Sequence, residues 1–188
     1  MRKLVLFAAP SGAGKTTIVQ RLLEIFDQLS FSISATTRSR RAYETEGKDY
    51  YFLDPPAFKE RVEAGDFVEW EEVYPGTFYG TLKSELERLW AQGKDIVFDV
   101  DVQGALRIKE AYPENSLAIF VKPPSKEVLF QRLEGRKTES PKTLQERMAK
   151  AEEELKFENK FDYVLVNDAL DEAVLEAKQV VRNWLAPS

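Results

Sequence analysis

Apolar and polar positions alternate between two periods along the chain. "KLVLFAA" (3–9) is a short apolar run stopped by Pro10 and Gly12, which predicts a buried strand. "KTTIVQRLLEIF" (15–26) places Ile18, Leu22, Ile25 and Phe26 at helical spacing. "FSISATT" (31–37) alternates and then meets a basic cluster, while residues 42–54 are polar and aromatic, with a turn at Gly47 and a short strand in "DYYFL". "PPAFKERVEAG" (55–65) reads as a helix with prolines at its start and glycine at its end. "DFVEWEEVY" (66–74) alternates like a strand, "PGTFYG" turns the chain, and "LKSELERLWAQG" (82–93) returns to helical spacing. "DIVFDVD" (95–101) and "SLAIFVK" (116–122) are apolar strands, and two charged helices follow at 125–135 and 143–158. "FDYVLVND" (161–168) is a last strand before a closing helix over 170–185.

Strands alternating with helices predict an α/β fold around a mostly parallel sheet. The stretch at about 34–81 breaks that rhythm and reads as an inserted subdomain, and the charged stretch at about 125–158 as a second one. The 188 residues are otherwise expected to form one domain. The basic-then-apolar start "MRKLVLFAAPSG" has too short an apolar part for a signal peptide and leads straight into a glycine-rich turn.

Composition narrows the chemistry. Hydrophobic residues make up 43% and charged residues 31%, an ordinary globular balance with no run long enough for a membrane span. A net charge of −5 argues against a nucleic-acid coat, yet arginines gather in "RSRR" (38–41) and at 132, 136 and 147, as in a protein handling a small anion. The absence of cysteine fits a reducing cytoplasm. The absence of histidine excludes Ser-His-Asp and Cys-His nucleophiles and histidine-ligated metals. Phosphoryl transfer, which works by positioning and charge stabilisation, stays open.

"AAPSGAGKTT" (8–17) carries the positive signal. It is a phosphate-binding P-loop, G-x-x-x-x-G-K-[ST], with Ala9 at the first glycine position. Pro10, Ser11, Gly12, Ala13 and Gly14 form the turn whose amides face phosphate oxygens, and a helix N-terminus follows. Lys15 reaches the β- and γ-phosphates, Thr16 offers a hydroxyl to Mg²⁺, and Thr17 extends the donor set. Ala9 matters only if its position needs positive φ, and the end of a strand does not.

With the P-loop in place, the chain resembles guanylate kinases over nearly its whole length. The motifs are "APSGAGKTT", "SATTRSRR", "GKDYYFL", "FVEWEEVYPGTFYGT", "DVDVQGA", "QRLEGRKTES", "QERMAKAEEEL" and "YVLVND", in the family's order. The resemblance implies a P-loop core with a GMP-binding insertion at about 34–81 and a lid at about 125–158. It implies Mg²⁺-dependent transfer of the ATP γ-phosphoryl group to GMP, and to dGMP, giving ADP and GDP in purine nucleotide metabolism. ATP and GMP are then the partners, with no nucleic acid or membrane, and the sequence is silent on oligomeric state.

Arg38 and Arg41 would bind the GMP phosphate with forked donors, helped by the hydroxyls of Tyr50 and Tyr79. By themselves, "RSRR" also suits a solvated basic turn and the tyrosines suit core packing. Glu69 would accept from guanine N1–H and N2–H₂, with Ser34 and Thr81 donating to O6 and Asp101 as a second acceptor. From spacing alone Glu69 equally fits an outward-facing strand residue, and Asp101 a helix cap. Asp99, at the end of its strand, would hold Mg²⁺ with Thr16. Arg132 and Arg136, four apart on one helical face, and Arg147 match the lid arginines that neutralise the transferring group, and Arg136 also faces ATP. Isolated helical arginines are equally surface ion-pair partners. Asn167 matches the adenine-side position and equally suits a turn. Lys15 and Arg38 join the arginines as the catalytic set. Scaffold domains that keep this fold and bind peptides, and P-loop kinases for other acceptors, are rival readings. The first would not need the retained cations, nor the second a base-reading set.

Overall fold

A computed structural model describes residues 2–135 and 141–186, and Arg136 and Lys137 lie outside the described residues. β1 (Leu4–Ala8) is buried along its whole length, as expected of a parallel strand covered on both faces. α1 (Lys15–Ile25) follows the P-loop and buries Ile18, Val19 and Leu22. After β2 (Leu29–Phe31) the chain leaves the core. It forms β3 (Ala35–Thr36), β4 (Tyr51–Phe52), α2 (Pro55–Glu63), β5 (Phe67–Tyr74) and β6 (Thr77–Leu82), then returns through α3 (Lys83–Ala91). β7 (Asp95–Val100), α4 (Val102–Ala111), β8 (Ser116–Lys122), α5 (Lys126–Glu134), α6 (Pro141–Leu155), β9 (Tyr163–Val166) and α7 (Leu170–Leu185) complete the order.

The core sheet runs β2-β7-β1-β8-β9 with every pairing parallel. One face packs Val5, Phe7, Val97 and Ile119 against α1 and α7 through Leu22, Ala177 and Val181. The other packs Leu4, Leu6, Phe98 and Phe120 against Leu86 and Leu89 of α3 and Ala105 and Ile108 of α4. The chain passes from β1 toward β2 on one side and from β7 across to β8 on the other. The carboxyl ends of β1 and β7 therefore open a crevice, where ligands of open α/β sheets bind.

A second sheet, β4-β3-β6-β5, stands over that crevice. Its back is closed by Phe58 of α2, stacked on Phe67 with ring centroids 4.5 Å apart. Two expectations change here. "FSISATT" is no single strand: it divides between the two sheets, with Ser32–Ser34 crossing from one to the other. "PGTFYG" is mostly strand, since the turn is confined to Pro75 and Gly76 and Thr77–Leu82 pairs with β5 as the hairpin's second arm. In the segment expected to form a lid, Leu129 and Leu133 of α5 pack against Ala151 and Met148 of α6. Leu133 also reaches the P-loop, where a Cβ on Gly12 would lie 3.1 Å from its Cδ2.

Candidate active site

The P-loop is shaped by two glycines. Gly12 (φ 92°) and Gly14 (φ 86°) take left-handed conformations open to few other residues, and Gly14 immediately precedes α1. No described non-glycine residue has positive φ, so Ala9, buried at the end of β1, holds its position without strain. Asn167, after β9, is 4% exposed and donates its amide to the Ala13 carbonyl at 2.7 Å. It props the loop from behind. Arg132 of α5 donates to the carbonyls of Asn167 (3.0 Å) and Asp168 (3.4 Å).

Lys15 and Thr16 converge on Asp99 of β7. Lys15 Nζ lies 2.7 Å from Asp99 Oδ1, and Thr16 Oγ1 donates to Oδ2 at 2.6 Å. Lys15 also donates to the Val100 carbonyl. One hydroxyl, one carboxylate and one ammonium thus meet at the carboxyl ends of the central strands.

Opposite stands the arginine cluster of the insertion. Glu44 grips Arg38 with both oxygens, at 2.7 and 3.1 Å, and accepts the Arg41 backbone N–H at 2.8 Å. This pairing holds the Glu44 carboxyl below its ordinary range. Arg38 Nε donates to the Tyr79 hydroxyl at 3.3 Å, and its guanidinium lies over the Tyr50 ring at 5.3 Å.

Deeper in, Glu69 is 8% exposed and accepts from Thr81 Oγ1 at 2.7 Å. Burial pushes its carboxyl up to about 7, against the Thr81 hydrogen bond and with help from the charge of Asp101. Asp101 caps α4 by accepting from Gly104 N at 2.7 Å, so the capping reading is correct, and its side chain also lines the cavity. Gly104 is what lets the two acids approach: a Cβ there would lie 3.0 Å from Asp101 Oδ1 and 3.1 Å from Glu69 Oε2.

These groups enclose one cavity of about 680 Å³. Pro10, Ser11, Gly12, Ala13, Gly14, Lys15, Thr16, Thr17, Ser34, Arg38, Arg41, Tyr50, Glu69, Tyr79, Asp99, Asp101 and Arg147 all line it. Thr81, Asn167 and Arg132 do not: Thr81 lies behind Glu69, and the other two lie behind the P-loop. Sequence reasoning missed Glu44, Glu71, Lys150 and Glu154. Lys150 and Glu154 follow Arg147 by three and seven positions on α6, the spacing of one helical face, and both line the cavity. Burial raises the Glu154 carboxyl to about 7.

The whole chain, and not the cavity alone, is similar to known proteins of one kind. It is 48% identical over 185 residues to the guanylate kinase of Salinibacter ruber, covering 98% of each chain. It is 44% identical over 181 residues to that of Thermotoga maritima, covering 96% of this chain and 86% of the relative. The crystal structure of guanylate kinase from Anaplasma phagocytophilum superposes with a TM-score of 0.80 at 31% identity, covering 100% of this chain and 88% of that one. The guanylate kinase family profile matches residues 1–184, and the chain belongs to that family.

Proposed function

We propose that the enzyme transfers the γ-phosphoryl group of ATP to GMP, and also to dGMP, giving ADP and the corresponding diphosphate. The observation that carries this reading is the order of groups along one cavity. A P-loop with its lysine stands at one end, the buried carboxylate of Glu69 beside that of Asp101 at the other, and a paired arginine cluster on the wall of the insertion. ATP phosphates fit the amides after Gly12 and the ammonium of Lys15. The GMP phosphate fits Arg38, Arg41, Tyr50 and Tyr79, and its guanine edge fits Glu69 and Asp101, with Ser34 on O6; Thr81, expected on O6 as well, instead spends its hydroxyl on Glu69 from behind. AMP would leave Glu69 without donors, a mismatch that costs several kcal/mol.

Thr16 and Asp99 are the candidate holders of Mg²⁺. Their oxygens are hard donors and already meet within 2.6 Å. Among the described residues no cluster of three acids forms a closed metal cage. That fits Mg²⁺, which takes one or two protein oxygens and completes its shell with water and substrate phosphates. When bound, the ion would neutralise phosphate charge. Lys15 and Arg147 bring positive charge to the same space, and Arg136 is assigned with them to ATP and the transferring phosphoryl group; Arg132, expected in that set, instead holds the Asn167 and Asp168 carbonyls and with Asn167 supports the P-loop from behind. No general base is needed, because the attacking phosphate oxygen is already ionised at neutral pH.

The insertion (about 34–81) and the lid (about 125–158) are proposed to close over the core and exclude water. No described helix is long and apolar enough to cross a membrane, and a cysteine-free nucleotide kinase fits the cytoplasm. The reading is tested by ADP release from ATP and Mg²⁺ with GMP, AMP, CMP and UMP offered in parallel, and Lys15→Ala as control. GMP-dependent turnover that the control loses supports it. A folded protein that binds GMP but turns over no acceptor refutes it.

A further inference from the structure

The cavity face of the second sheet is ordered rung by rung. In the β5–β6 register Glu69 pairs with Thr81, and Glu71 pairs with Tyr79. Side chains alternate along a strand, so residues two apart share a face, and both glutamates line the cavity. The first rung holds the buried acid proposed to read the base. The second holds Tyr79, whose hydroxyl accepts from Arg38 in the proposed phosphate cluster. Two residues of strand span about 7 Å. In any nucleoside 5′-monophosphate, the sugar is what lies between base and phosphate.

Glu71 shares the second rung with Tyr79, one step along the strand from the rung of Glu69, and it has unspent hydrogen-bonding capacity. Its Oε2 is buried and has no hydrogen-bond partner among the described residues. Arg107 Nη1 is 3.8 Å away, outside hydrogen-bond range, and the same nitrogen donates to the Trp70 carbonyl. Burial and the charge of Asp101 push the Glu71 carboxyl up, while Arg107 and Lys150 draw it down. What this acid lacks is donors. The vicinal hydroxyls of a ribose are two donors at fixed spacing, and acidic side chains bind ribose hydroxyls in dinucleotide sites for that reason.

We propose that Glu71 reads the ribose of the acceptor nucleotide and makes the site prefer a ribonucleotide over its deoxy analogue. This rests on the assignment of GMP as acceptor. It adds a sugar contact to base and phosphate recognition, carried by a residue that neither the P-loop nor the arginine motif contains.

The test compares kcat/KM for GMP, 2′-deoxy-GMP and 3′-deoxy-GMP in the wild type, Glu71→Gln and Glu71→Ala, with thermal melts to confirm folding. The wild type is expected to favour GMP over at least one deoxy analogue by roughly tenfold or more. In Glu71→Ala that ratio falls toward one, through loss on GMP with the deoxy analogue little changed. Glu71→Gln, which keeps an acceptor oxygen, retains part of the preference. Equal losses on all three acceptors would show that Glu71 serves only as an ion partner for Arg107 and Lys150, and would overturn the proposal. Equal use of all three by the wild type would overturn it as well. Failure of the GMP assignment reads differently: another monophosphate turns over in the wild type and no guanine nucleotide does, and the ribose assignment falls with it.

Discussion

Thr81 donates its hydroxyl to Glu69 across a single rung of the β5–β6 hairpin, 2.7 Å from oxygen to oxygen, with both side chains buried. The bond stabilises the ionised carboxylate against the burial that raises it. The guanine edge proposed to bind Glu69 needs that ionised form, because N1–H and N2–H₂ both donate. The kcat/KM for GMP should therefore fall as pH drops below about 7, where Glu69 takes up its proton. Thr81→Val removes the hydroxyl and should move the midpoint of this profile up by about one pH unit. A profile that stays in place would show that Glu69 does not control acceptor binding.

The same residue has a signature in the stability of the free protein. Glu69 carries a folded-state pKa of about 7 against an ordinary 4.5, so the folded state holds its proton more tightly than the unfolded state. Its contribution to stability is complete below pH 4.5 and is lost as pH rises through 7. Urea denaturation at pH 5 and pH 8 should show wild type losing up to about 3 kcal/mol relative to Glu69→Gln over that span. Parallel behaviour of the two proteins would place the carboxylate in a far more solvated setting.

Glu44 is a positioning residue for Arg38 and Arg41. Without it, Arg38 loses the fork that aims its guanidinium over Tyr50 and toward Tyr79. Glu44→Ala is expected to raise the KM for GMP by roughly tenfold or more and leave the KM for ATP within about twofold, read in one steady-state assay. Glu44→Gln should recover part of the loss. Equal changes in both KM values would contradict the assignment.

Two single-atom changes separate the parts of the P-loop. A Cβ on Gly14 would meet Asn167 Nδ2 at 2.3 Å at a φ of 86°, so Gly14→Ala should cost about 2 kcal/mol or more and weaken ATP binding. Ala9→Gly changes a position with no such demand. It should cost at most about 1 kcal/mol and keep turnover. Denaturation midpoints and ATP titration of both variants check the pair.

Most of the core was legible in the sequence because its strands are apolar on both faces. Residues 4–8, 96–98 and 118–121 are buried almost completely. The P-loop was legible because its backbone demands glycine at fixed spacing. The second sheet was harder to read. Its β6 carries Thr77, Tyr79 and Thr81 toward the hydrogen-bonding side and Gly80 opposite Trp70, a composition that looks like a turn when the partner strand is unknown. Gly80 has no room for a side chain, since a Cβ would lie 2.8 Å from the Phe67 ring. Glu44 reads as an ordinary surface charge until Arg38 and Arg41 close on it, and Lys150 and Glu154 read so until α6 faces the crevice.

Asp101 has a double occupation: it ends the loop that starts α4 and it lines the cavity beside Glu69. A change there is penalised twice, once in helix stability and once in the proposed ligand site, whereas Glu69 sits on a hairpin outside the core sheet and, on the same proposal, answers mainly to the ligand. Acceptor preference in such a molecule is thus free to drift on the hairpin while the core half of the recognition surface stays fixed by the demands of folding. A lineage acquiring a new acceptor would change residues on β5 and β6 first.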